Sequence, residues 1–245
     1  MDLNIRGKRA LVFASSEGLG KAAAKELIAE GVSVIISSRS SDKLSACAKE
    51  IGATDFIPCD LLNKGAAREL TRTAIKKLGG LDILITNAGG PPVGAFKDIN
   101  TEQWELSFQS LFMSLVESIQ EAVPEMSKAG WGRILMITST SAKEPIPNST
   151  VSSSLRAGVH GLVNSLSKEF GLSGITVNAI MPTFTETKRL KEVRPNREEM
   201  LSKIPVRRVG RPEELAKLIA FLASEHAGFI TGQAIGYDGG SLAGI

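Results

Sequence analysis

Cysteine and long apolar runs are both scarce in this sequence. Its 245 residues include two cysteines, Cys47 and Cys59, and such a pair makes neither a disulfide framework nor a metal site. We expect no bound metal, and two small buried thiols in a protein of the reducing cytoplasm. No run of 18 uncharged apolar residues occurs, which argues against a membrane span. The apolar run in MDLNIRGKRALVF is short and no small-residue cleavage site follows it, so no signal peptide is expected.

An excess of charge of one sign is also absent. The chain carries 29 basic and 26 acidic residues, and its formal net charge of +3 is thinly spread. Basic residues are concentrated only in KRLKEVRPNR (188–197), which also contains Glu192. A solvated surface segment accounts for such a mixed cluster better than a nucleic-acid patch does. The composition therefore predicts no nucleic-acid partner.

Seven short β-rich apolar runs alternate with longer segments of helical period, including residues 20–30, 68–78 and 153–170. Nearly unbroken apolar strands joined by helices predict a parallel sheet covered on both faces, doubly wound through right-handed crossovers. No linker or internal repeat interrupts the pattern. We expect one α/β domain over residues 1–245, a Rossmann-like sheet of about seven strands with helices on both faces. The predicted strands are residues 9–13, 32–37, 55–59, 81–86, 133–138, 175–180 and 233–238.

The segment 182–200 lacks strand character and is rich in charge. In doubly wound folds, ligands bind at the carboxyl edge of the sheet, and loops there carry function. We therefore expect this segment to be a lid over that edge, beside the substrate.

The first predicted strand runs into FASSEGLGKAAAKEL (13–27), in which Gly18 and Gly20 open a helix. Backbone amides at a helix N-terminus can bind a pyrophosphate, and small residues let the phosphate approach them. Two glycines also suit a tight turn that binds no ligand. The turn by itself leaves both interpretations open.

Motifs elsewhere in the chain favour the dinucleotide interpretation. The turn corresponds to the pattern T-G-x-x-x-G-x-G at residues 13–20, with departures at Phe13 and Ala14. Asp60 follows the third predicted strand, at the position where proteins with this glycine turn have an aspartate that contacts adenine. Residues 86–89 (TNAG) correspond to N-N-A-G.

The second half of the chain adds two further motifs. The segment ITVNAIMPTFTET (175–187) corresponds to one ending in P-G-x-x-x-T, with Thr183 in place of glycine and Thr187 retained. Residues 204–240 closely match a C-terminal signature that accompanies these motifs, except at Tyr237. Together these motifs resemble the short-chain dehydrogenase/reductase family along nearly the whole chain. Among its members, the chain resembles the bacterial 3-oxoacyl-acyl-carrier-protein reductases.

This resemblance implies a nicotinamide dinucleotide cofactor held along the carboxyl edge of the sheet. It also implies the residues that contact the cofactor, by their correspondence to the family's motifs. These residues are Ala14, Ser15, Ser16, Gly18, Leu19, Gly20, Ser38, Arg39, Asp60, Leu61, Asn87, Ala88, Gly89, Arg156, Pro182 and Thr187.

The end of the second strand bears on the choice between NADP and NAD. An acidic residue at Ser38 would hold the adenosine ribose and repel a 2′-phosphate. Ser38 is instead neutral, and the guanidinium of Arg39 could pair with that phosphate, as in the family's NADP-preferring members. Glu17 argues the other way, since many NADP users carry a basic residue there, and Arg39 could also be a solvated surface charge. NADP is the expected cofactor and NAD the alternative.

Of four catalytic positions that the resemblance implies, this sequence retains one. The family uses a tyrosine for proton transfer, a lysine that lowers its pKa and holds the nicotinamide ribose, a serine that fixes the substrate carbonyl, and an asparagine that supports a water-linked proton path. Ser139 matches the serine, whereas Ser152, Arg156 and Leu111 occupy the tyrosine, lysine and asparagine positions. Ser152 and Arg156 are spaced i, i+4 and should share one helix face. Ser139, Ser152 and Arg156 are the candidate catalytic residues.

The two replacements cannot carry out the family's usual proton transfer. The pKa of a phenol is about 10, and that of an aliphatic hydroxyl such as Ser152 lies far above it. Arg156 stays protonated at any useful pH. It can still hydrogen-bond the ribose and stabilise negative charge on a substrate oxygen.

Other titratable residues offer alternative proton carriers. Lys143 and Glu144 follow Ser139 and could act with shifted pKa values, or they could be exposed loop charges. We expect His160 to pack against a neighbouring helix. The single tyrosine, Tyr237, should not reach the hydride site.

Three functions are compatible with these residues. The main expectation is an NAD(P)-dependent oxidoreductase that acts on a small carbonyl or alcohol substrate, resembles the 3-oxoacyl reductases and has a non-standard proton relay. The first alternative is a cofactor-binding homologue or partner subunit without turnover, as the three lost residues suggest. The second is a lyase resembling the halohydrin dehalogenases, which also carry arginine for lysine. Those enzymes keep the tyrosine and block the nicotinamide site with aromatics, for which only Phe13 and Phe184 are candidates here.

Two predicted helices, at residues 101–127 and 149–171, carry apolar residues on more than one face. A sheet covers only one face of each, so the other is predicted to pair with a second subunit. The family resemblance implies the same helices and a homotetramer. The apolar positions include Leu111, Phe112, Leu115, Leu155, Val159 and Leu162.

Overall fold

A computed structural model of the chain describes residues 1–193 and 197–244. Within them, seven strands form one parallel sheet in the order β3-β2-β1-β4-β5-β6-β7. All seven predicted strands occur, and the predicted doubly wound α/β fold is confirmed. Their bounds are β1 (Arg9–Val12), β2 (Ser33–Ser38), β3 (Asp55–Pro58), β4 (Ile83–Thr86), β5 (Gly132–Ile137), β6 (Ile175–Pro182) and β7 (Ala234–Tyr237).

Helices cover both faces of the sheet, as predicted. Helices α1, α2 and α9 bury their apolar residues on one face, and α3, α5 and α6 do so on the other. Helices α4 and α5 are joined by a π-helical turn at Gln109–Met113. The helices described are α1 (Gly18–Ala29), α2 (Ser41–Ile51), α3 (Ala66–Leu78), α4 (Thr101–Phe108), α5 (Ser114–Ala129), α6 (Thr150–Phe170), α7 (Lys188–Val193), α8 (Arg197–Ser202) and α9 (Pro212–Leu222).

Strand β1 shows why these apolar runs become central strands. Successive side chains of a strand point to opposite faces, and in β1 Ala10 and Val12 pack with α1 and α9 while Leu11 packs with α3 and α5. All three side chains are fully buried. A strand buried on both faces needs an unbroken apolar run rather than alternation, which is what RALV provides.

The strand order places a ligand crevice between β1 and β4. The chain moves outward from β1 to β3 and then returns to β4 on the other side of β1. Ligands of open α/β sheets bind at this reversal, beyond the carboxyl ends of the strands. The glycine turn after β1 and the TNAG segment after β4 therefore meet at one edge.

The predicted lid, residues 182–200, is described only in part. Pro182 ends β6, α7 and α8 follow, and residues 194–196 lie outside the described residues. The start of the segment is tied down, since Thr185 pairs with Gly210 in an isolated β-bridge. Among the described residues, no helix has both the length and the apolarity that a membrane crossing requires.

Candidate functional site

The turn after β1 lets a ligand approach backbone amides closely. Gly18 has a φ of +61° and begins α1, and a Cβ at Gly20 would lie 2.5 Å from the carbonyl oxygen of Ala14. Only glycine fits Gly20 without opening the turn. Glu17 precedes α1 and makes no side-chain capping bond within the described residues. The first amides of α1 are therefore free for an anionic ligand.

Ser15 supports this turn from inside the fold. Its hydroxyl donates to the Val12 carbonyl over 2.7 Å and accepts from the Ser37 amide over 3.0 Å. Its own amide donates to the Ser37 carbonyl. Ser15 thus has no free donor for a cofactor and links β1 to β2, whereas Ser16 and Leu19 remain partly exposed.

The predicted lid segment touches the glycine turn through Thr187. The Thr187 Cγ2 methyl lies 3.6 Å from the position that a Cβ of Gly18 would occupy. The Thr187 hydroxyl accepts a hydrogen bond from the Leu190 amide in the first turn of α7. Two predicted cofactor residues from opposite halves of the chain are thereby brought together, beyond the end of β6 at Pro182.

A second part of the crevice lies at the ends of β2 and β3, which are paired in register at Ser38 and Pro58. The Ser38 hydroxyl is buried and has no hydrogen-bond partner within the described residues. Arg39 beside it is exposed and forms no ion pair there. An orphaned hydroxyl next to a free guanidinium fits a phosphorylated ribose. Asp60 lies just beyond β3, and its carboxylate accepts from the Leu62 amide over 3.1 Å, with Leu61 between them.

The acidic residue of the turn is paired with a lysine. The Glu17 carboxylate lies 4.0 Å from Lys43 Nζ on α2. Both side chains are more than half exposed, so the pairing is weak. Lys43 nevertheless offsets part of the negative charge with which Glu17 would repel a 2′-phosphate.

Asn87, Ala88 and Gly89 follow β4 at the centre of the crevice. Asn87 and Ala88 line a small cavity together with Arg156, and Gly89 is exposed. A Cβ at Gly90 would lie 3.3 Å from the Nε and Nη2 atoms of Arg189 on α7. The lid thus places a guanidinium directly against the loop after β4.

Three serines form a chain of hydroxyl groups after β5. The Ser139 hydroxyl accepts from the Ser141 amide over 3.2 Å and from the Ser141 hydroxyl over 3.0 Å. The Ser141 hydroxyl also lies 3.5 Å from that of Ser152, on the first turn of α6. Because Ser139 accepts both of these bonds, its own hydroxyl proton is free to point toward a ligand.

Arg156 lies one turn further along α6. Its Nη1 donates to the Thr138 carbonyl at 3.2 Å, the only hydrogen bond it makes within the described residues. Burial lowers the pKa of this guanidinium to about 10, so it remains charged at neutral pH. No carboxylate in that part of the chain lies within ion-pairing distance of it. The site therefore holds a cation without an anionic partner.

Leu111 lies in the π-helical turn between α4 and α5 and is buried. With Asn87, Thr138 and Arg156, it lines a cavity of about 20 Å³, enough for one water molecule. The buried Thr86 hydroxyl on the same cavity lacks a hydrogen-bond partner within the described residues. Single π-helical turns are frequent at functional sites. The family's asparagine position thus holds an apolar side chain on a mainly apolar cavity, to which Asn87, Thr138 and Arg156 add polar groups.

The two loop charges proposed as proton carriers are occupied elsewhere. Glu144 Oε1 accepts from the amides of Ala243 and Gly244, each at 2.8 Å, and Lys143 Nζ donates to the Gly244 carbonyl. Both residues hold the C-terminal segment against the loop after β5. They are neither free loop charges nor positioned acids.

His160 and Tyr237 are also committed to other contacts. His160 Nε2 lies 3.0 Å from the hydroxyl of Thr138, the residue after β5. Burial, and then the charge of Arg156, lower the pKa of His160. The Tyr237 hydroxyl donates to Glu214, and burial raises its pKa to about 12. As predicted, Tyr237 is occupied away from the serine chain.

Of the two candidate blocking aromatics, Phe13 does not reach the nicotinamide site. Phe13 is 1% exposed and packs in the core with α3 and α5. Phe184 is partly buried, and its carbonyl accepts from the Gly210 amide. With Phe13 in the core, one of the two aromatics is left as a candidate, and the lyase interpretation is weakened. Cys47 and Cys59 are unpaired, and the described residues contain no group of three side chains suited to a metal ion.

Sequence reasoning missed Ser141, Thr138 and Thr86. Ser141 links the other two serines, Thr138 anchors Arg156, and Thr86 lines the cavity. Their position directly after buried strands, at the carboxyl edge, was a usable signal. The arginine of the lid, Arg189, was visible only as part of a charge cluster.

The chain is similar to characterised proteins over nearly its whole length. Residues 13–241 match a family model described as enoyl-(acyl carrier protein) reductase. The 3-oxoacyl-(acyl-carrier-protein) reductase FabG of Thermotoga maritima is 31% identical over 243 residues, which cover 97% of this chain and 99% of that protein. A 2-dehydro-3-deoxy-L-rhamnonate dehydrogenase (NAD(+)) of a Sphingomonas species is 34% identical and covers 96% and 95%.

Solved structures show the same fold. The L-sorbose reductase from Gluconobacter frateurii, complexed with NADPH and L-sorbose, has a TM-score of 0.94 at 27% identity and covers 100% of both chains. The NADPH-dependent reductase YwfH, involved in bacilysin biosynthesis, has a TM-score of 0.92 at 31% identity, covering 97% of this chain and 99% of that one. The similarity thus spans reductases and dehydrogenases with different named substrates.

Proposed function

This chain belongs to the short-chain dehydrogenase/reductase family, and on that premise we propose that it is an NADP-dependent oxidoreductase of small carbonyl or alcohol substrates with a non-standard proton relay. The observation that carries the proposal is the convergence of Asn87, Ala88 and Arg156 on one cavity at the carboxyl edge of the sheet, the same edge that carries the close-approach turn of Gly18 and Gly20. When bound, a reduced nicotinamide supplies a hydride. The residues of this chain supply its binding, its orientation and the electrostatics around the substrate.

The preference for NADP rests on the adenosine end of the crevice. The buried Ser38 hydroxyl can bond a ribose hydroxyl, and the Arg39 guanidinium can pair with a 2′-phosphate. A relative named for NAD(+) and a structural neighbour complexed with NADPH both resemble this chain, so the family does not decide the matter. The charge at Arg39 favours NADP.

The substrate oxygen is proposed to lie at Ser139. The Ser139 hydroxyl accepts two bonds from Ser141, which leaves its own proton to donate outward. The charge of Arg156 adds electrostatic stabilisation of a developing oxyanion. The named substrates of the matched family model and of the Thermotoga relative, enoyl and 3-oxoacyl groups, both contain a carbonyl. A carbonyl-containing substrate suits this arrangement, with 3-oxoacyl groups as the first candidates.

We also propose a homotetramer that pairs α5 and α6. A groove of about 310 Å³ runs along their outer faces and is lined mainly by apolar side chains, among them Val116, Val123, Leu162 and Leu166. A second copy of the same two helices would cover it with a self-complementary surface.

NADPH titration tests the cofactor proposal, followed through the fluorescence of the nicotinamide. We expect saturable binding, and tighter binding than for NADH. A panel of 3-oxoacyl thioesters and small ketones then tests turnover. Saturable NADPH binding with no oxidation by any member of the panel would favour a cofactor-binding homologue without turnover. Absence of NADPH binding would contradict the proposal.

A further inference from the structure

The segment that follows β7, residues 238–244 and here called the strap, is ordered by Asp238. The Asp238 carboxylate accepts hydrogen bonds from the Gly240 amide over 3.1 Å and from the Leu242 amide over 2.8 Å. The Asp238 carbonyl accepts from both the amide and the hydroxyl of Ser241. Aspartate side chains that bond nearby backbone amides in this way fix a turn. The strap therefore leaves the sheet in a defined direction.

One part of the strap packs against the end of the predicted lid. The Gly239 carbonyl accepts from the Val206 amide over 3.2 Å. A Cβ at Gly239 would lie 2.6 Å from Val206 Cγ2 and 2.8 Å from Ile204 Cγ2, so only glycine allows the approach. Ile204 is buried, and its amide donates to the Leu201 carbonyl in α8. The strap thus contacts a buried segment that continues directly from α8.

The far end of the strap is held by Glu144. The Glu144 Oε1 atom accepts from the amides of Ala243 and Gly244, each over 2.8 Å, and Lys143 Nζ donates to the Gly244 carbonyl over 3.1 Å. Hydrogen bonds to an ionised acceptor are stronger than those between neutral groups. Two consecutive amides on one carboxylate therefore fix the end of the strap against the loop after β5.

Glu144 also ends the turn that carries the serine chain. Its amide and that of Lys143 both donate to the Thr140 carbonyl, each over 3.0 Å. The same turn directs the amide and the hydroxyl of Ser141 onto the Ser139 hydroxyl. The Ser139 proton is left to point outward because Ser141 occupies the acceptor positions of its oxygen. A displacement at Glu144 therefore reaches Ser139 through the backbone of one short turn.

We infer that Glu144 is a positioning residue for the reaction, and that the strap it holds couples α8 of the lid to the orientation of Ser139. The inference rests on the function proposed above, which places the substrate oxygen at Ser139. In this role Glu144 acts through the turn between them and does not contact the substrate. Alignment of a donor with a reacting atom is sensitive to small displacements, so a fixed turn favours the reaction.

Hydrogen–deuterium exchange, read by mass spectrometry with fragmentation to single amides, tests the coupling without turnover. Glu144→Ala should speed exchange at Ala243 and Gly244 by roughly tenfold, the equivalent of one lost hydrogen bond. We expect faster exchange at Ser141 in the serine turn and at Val206 after α8 as well. Glu144→Gln retains an acceptor oxygen and should lie between wild type and Glu144→Ala. Faster exchange confined to Ala243 and Gly244 would overturn the inference.

Kinetics test the role in the reaction. Glu144→Ala should lower kcat by roughly tenfold to a hundredfold, since a displacement of about 1 Å near reacting groups can cost about a hundredfold. The affinity for NADPH should stay unchanged, and Glu144→Gln should recover part of kcat. Glu105→Ala makes the same change at an exposed glutamate of α4 and should alter neither quantity. An unchanged kcat in Glu144→Ala, or an equal loss of NADPH affinity, would overturn the positioning role.

A second variant shows whether Glu144 acts through the strap. Asp238→Ala removes the bonds that order the strap from its other end. Because both changes disrupt one connected element, their combined effect on kcat should be smaller than the product of the two separate effects. Independent effects would overturn the role of the strap. Failure of the wild type to bind NADPH would instead contradict the proposed oxidoreductase function, and the exchange measurement would still decide the coupling.

Discussion

The hydroxyl oxygens of Ser141 and Ser152 lie 3.5 Å apart, whereas those of Ser139 and Ser141 lie 3.0 Å apart. Hydrogen bonds between hydroxyl groups are about 2.5–3.0 Å long. Ser152, at the position of the family's tyrosine, is therefore the loosely attached end of the serine chain. Its contribution to a reaction should be correspondingly small.

We expect Ser152→Ala to lower kcat/KM about tenfold or less, roughly 1.4 kcal/mol, because one weak hydrogen bond is removed. Arg156→Ala should lower it by more than about a hundredfold, since it removes the oxyanion-stabilising charge. Steady-state kinetics on any substrate that the wild type reduces will distinguish the two. A thousandfold loss in Ser152→Ala would show that Ser152 carries the chemistry.

Arg39→Ala should weaken NADPH binding by about 1–3 kcal/mol, the usual value of a hydrogen bond to a charged group. NADH lacks the 2′-phosphate, so its binding should remain nearly unchanged. Fluorescence titration of both cofactors provides the measurement. Equal losses of affinity for NADPH and NADH would contradict the 2′-phosphate role. Arg39 would then attract both cofactors through its charge alone.

Ala14 occupies the left-handed region, with a φ of +45°, where the family's turn has glycine. This conformation costs a non-glycine residue roughly 1–2 kcal/mol. Glycine avoids that strain but loses more conformational entropy on folding, about 0.5–1 kcal/mol, so the net gain in stability is smaller than the strain. We expect Ala14→Gly to raise the free energy of unfolding by about 0.5 kcal/mol in urea denaturation. Ala22→Gly, inside α1, is the matched control and should lower it by about 1 kcal/mol. A destabilised Ala14→Gly would mean that the turn tolerates alanine without strain.

The sheet was predictable because its strands are buried on both faces. Runs such as RALV and ILIT consist of apolar residues and one threonine or arginine at an end, and they stand out without knowledge of their neighbours. The region predicted as one helix at 101–127 became α4, a π-helical turn and α5. That turn has no local sequence signal.

The cofactor side of the site could be predicted by motif, and its catalytic side only in part. Motif spacing located Ser139, Ser152 and Arg156. The spacing could not show that Ser141 links two of them, because this depends on the short 3₁₀ turn at Thr140–Ala142. Nor could it show that Glu144 binds amides about a hundred residues away. Contacts between residues so far apart in the sequence depend on the whole fold, so no local sequence motif predicts them.

Asp82 should make stability depend on pH. Burial alone would raise the pKa of its carboxyl, but hydrogen bonds from the Arg9 side chain and backbone outweigh burial and lower it. A lowered pKa stabilises the folded state fully above the unfolded value of about 3.9, and this contribution is lost as the pH falls through the folded value. Asp82→Asn should lower the free energy of unfolding by roughly 2 kcal/mol at pH 7. The difference from wild type should shrink in urea titrations below about pH 4, and a difference independent of pH would contradict the role of the ion pair.

The proposed pairing of α5 and α6 predicts that a charge placed in the groove along these helices should disrupt assembly. Leu166 is partly buried at the groove, and a carboxylate there would lose water when two copies meet, at a cost that apolar contacts cannot offset. We expect wild-type protein to be a tetramer by light scattering at micromolar concentration, and Leu166→Asp to be a smaller species. Ala46→Asp places the same charge on the exposed side of α2 and should leave the mass unchanged. A monomeric wild type, or equal masses for wild type and Leu166→Asp, would show that these two helices do not form the interface.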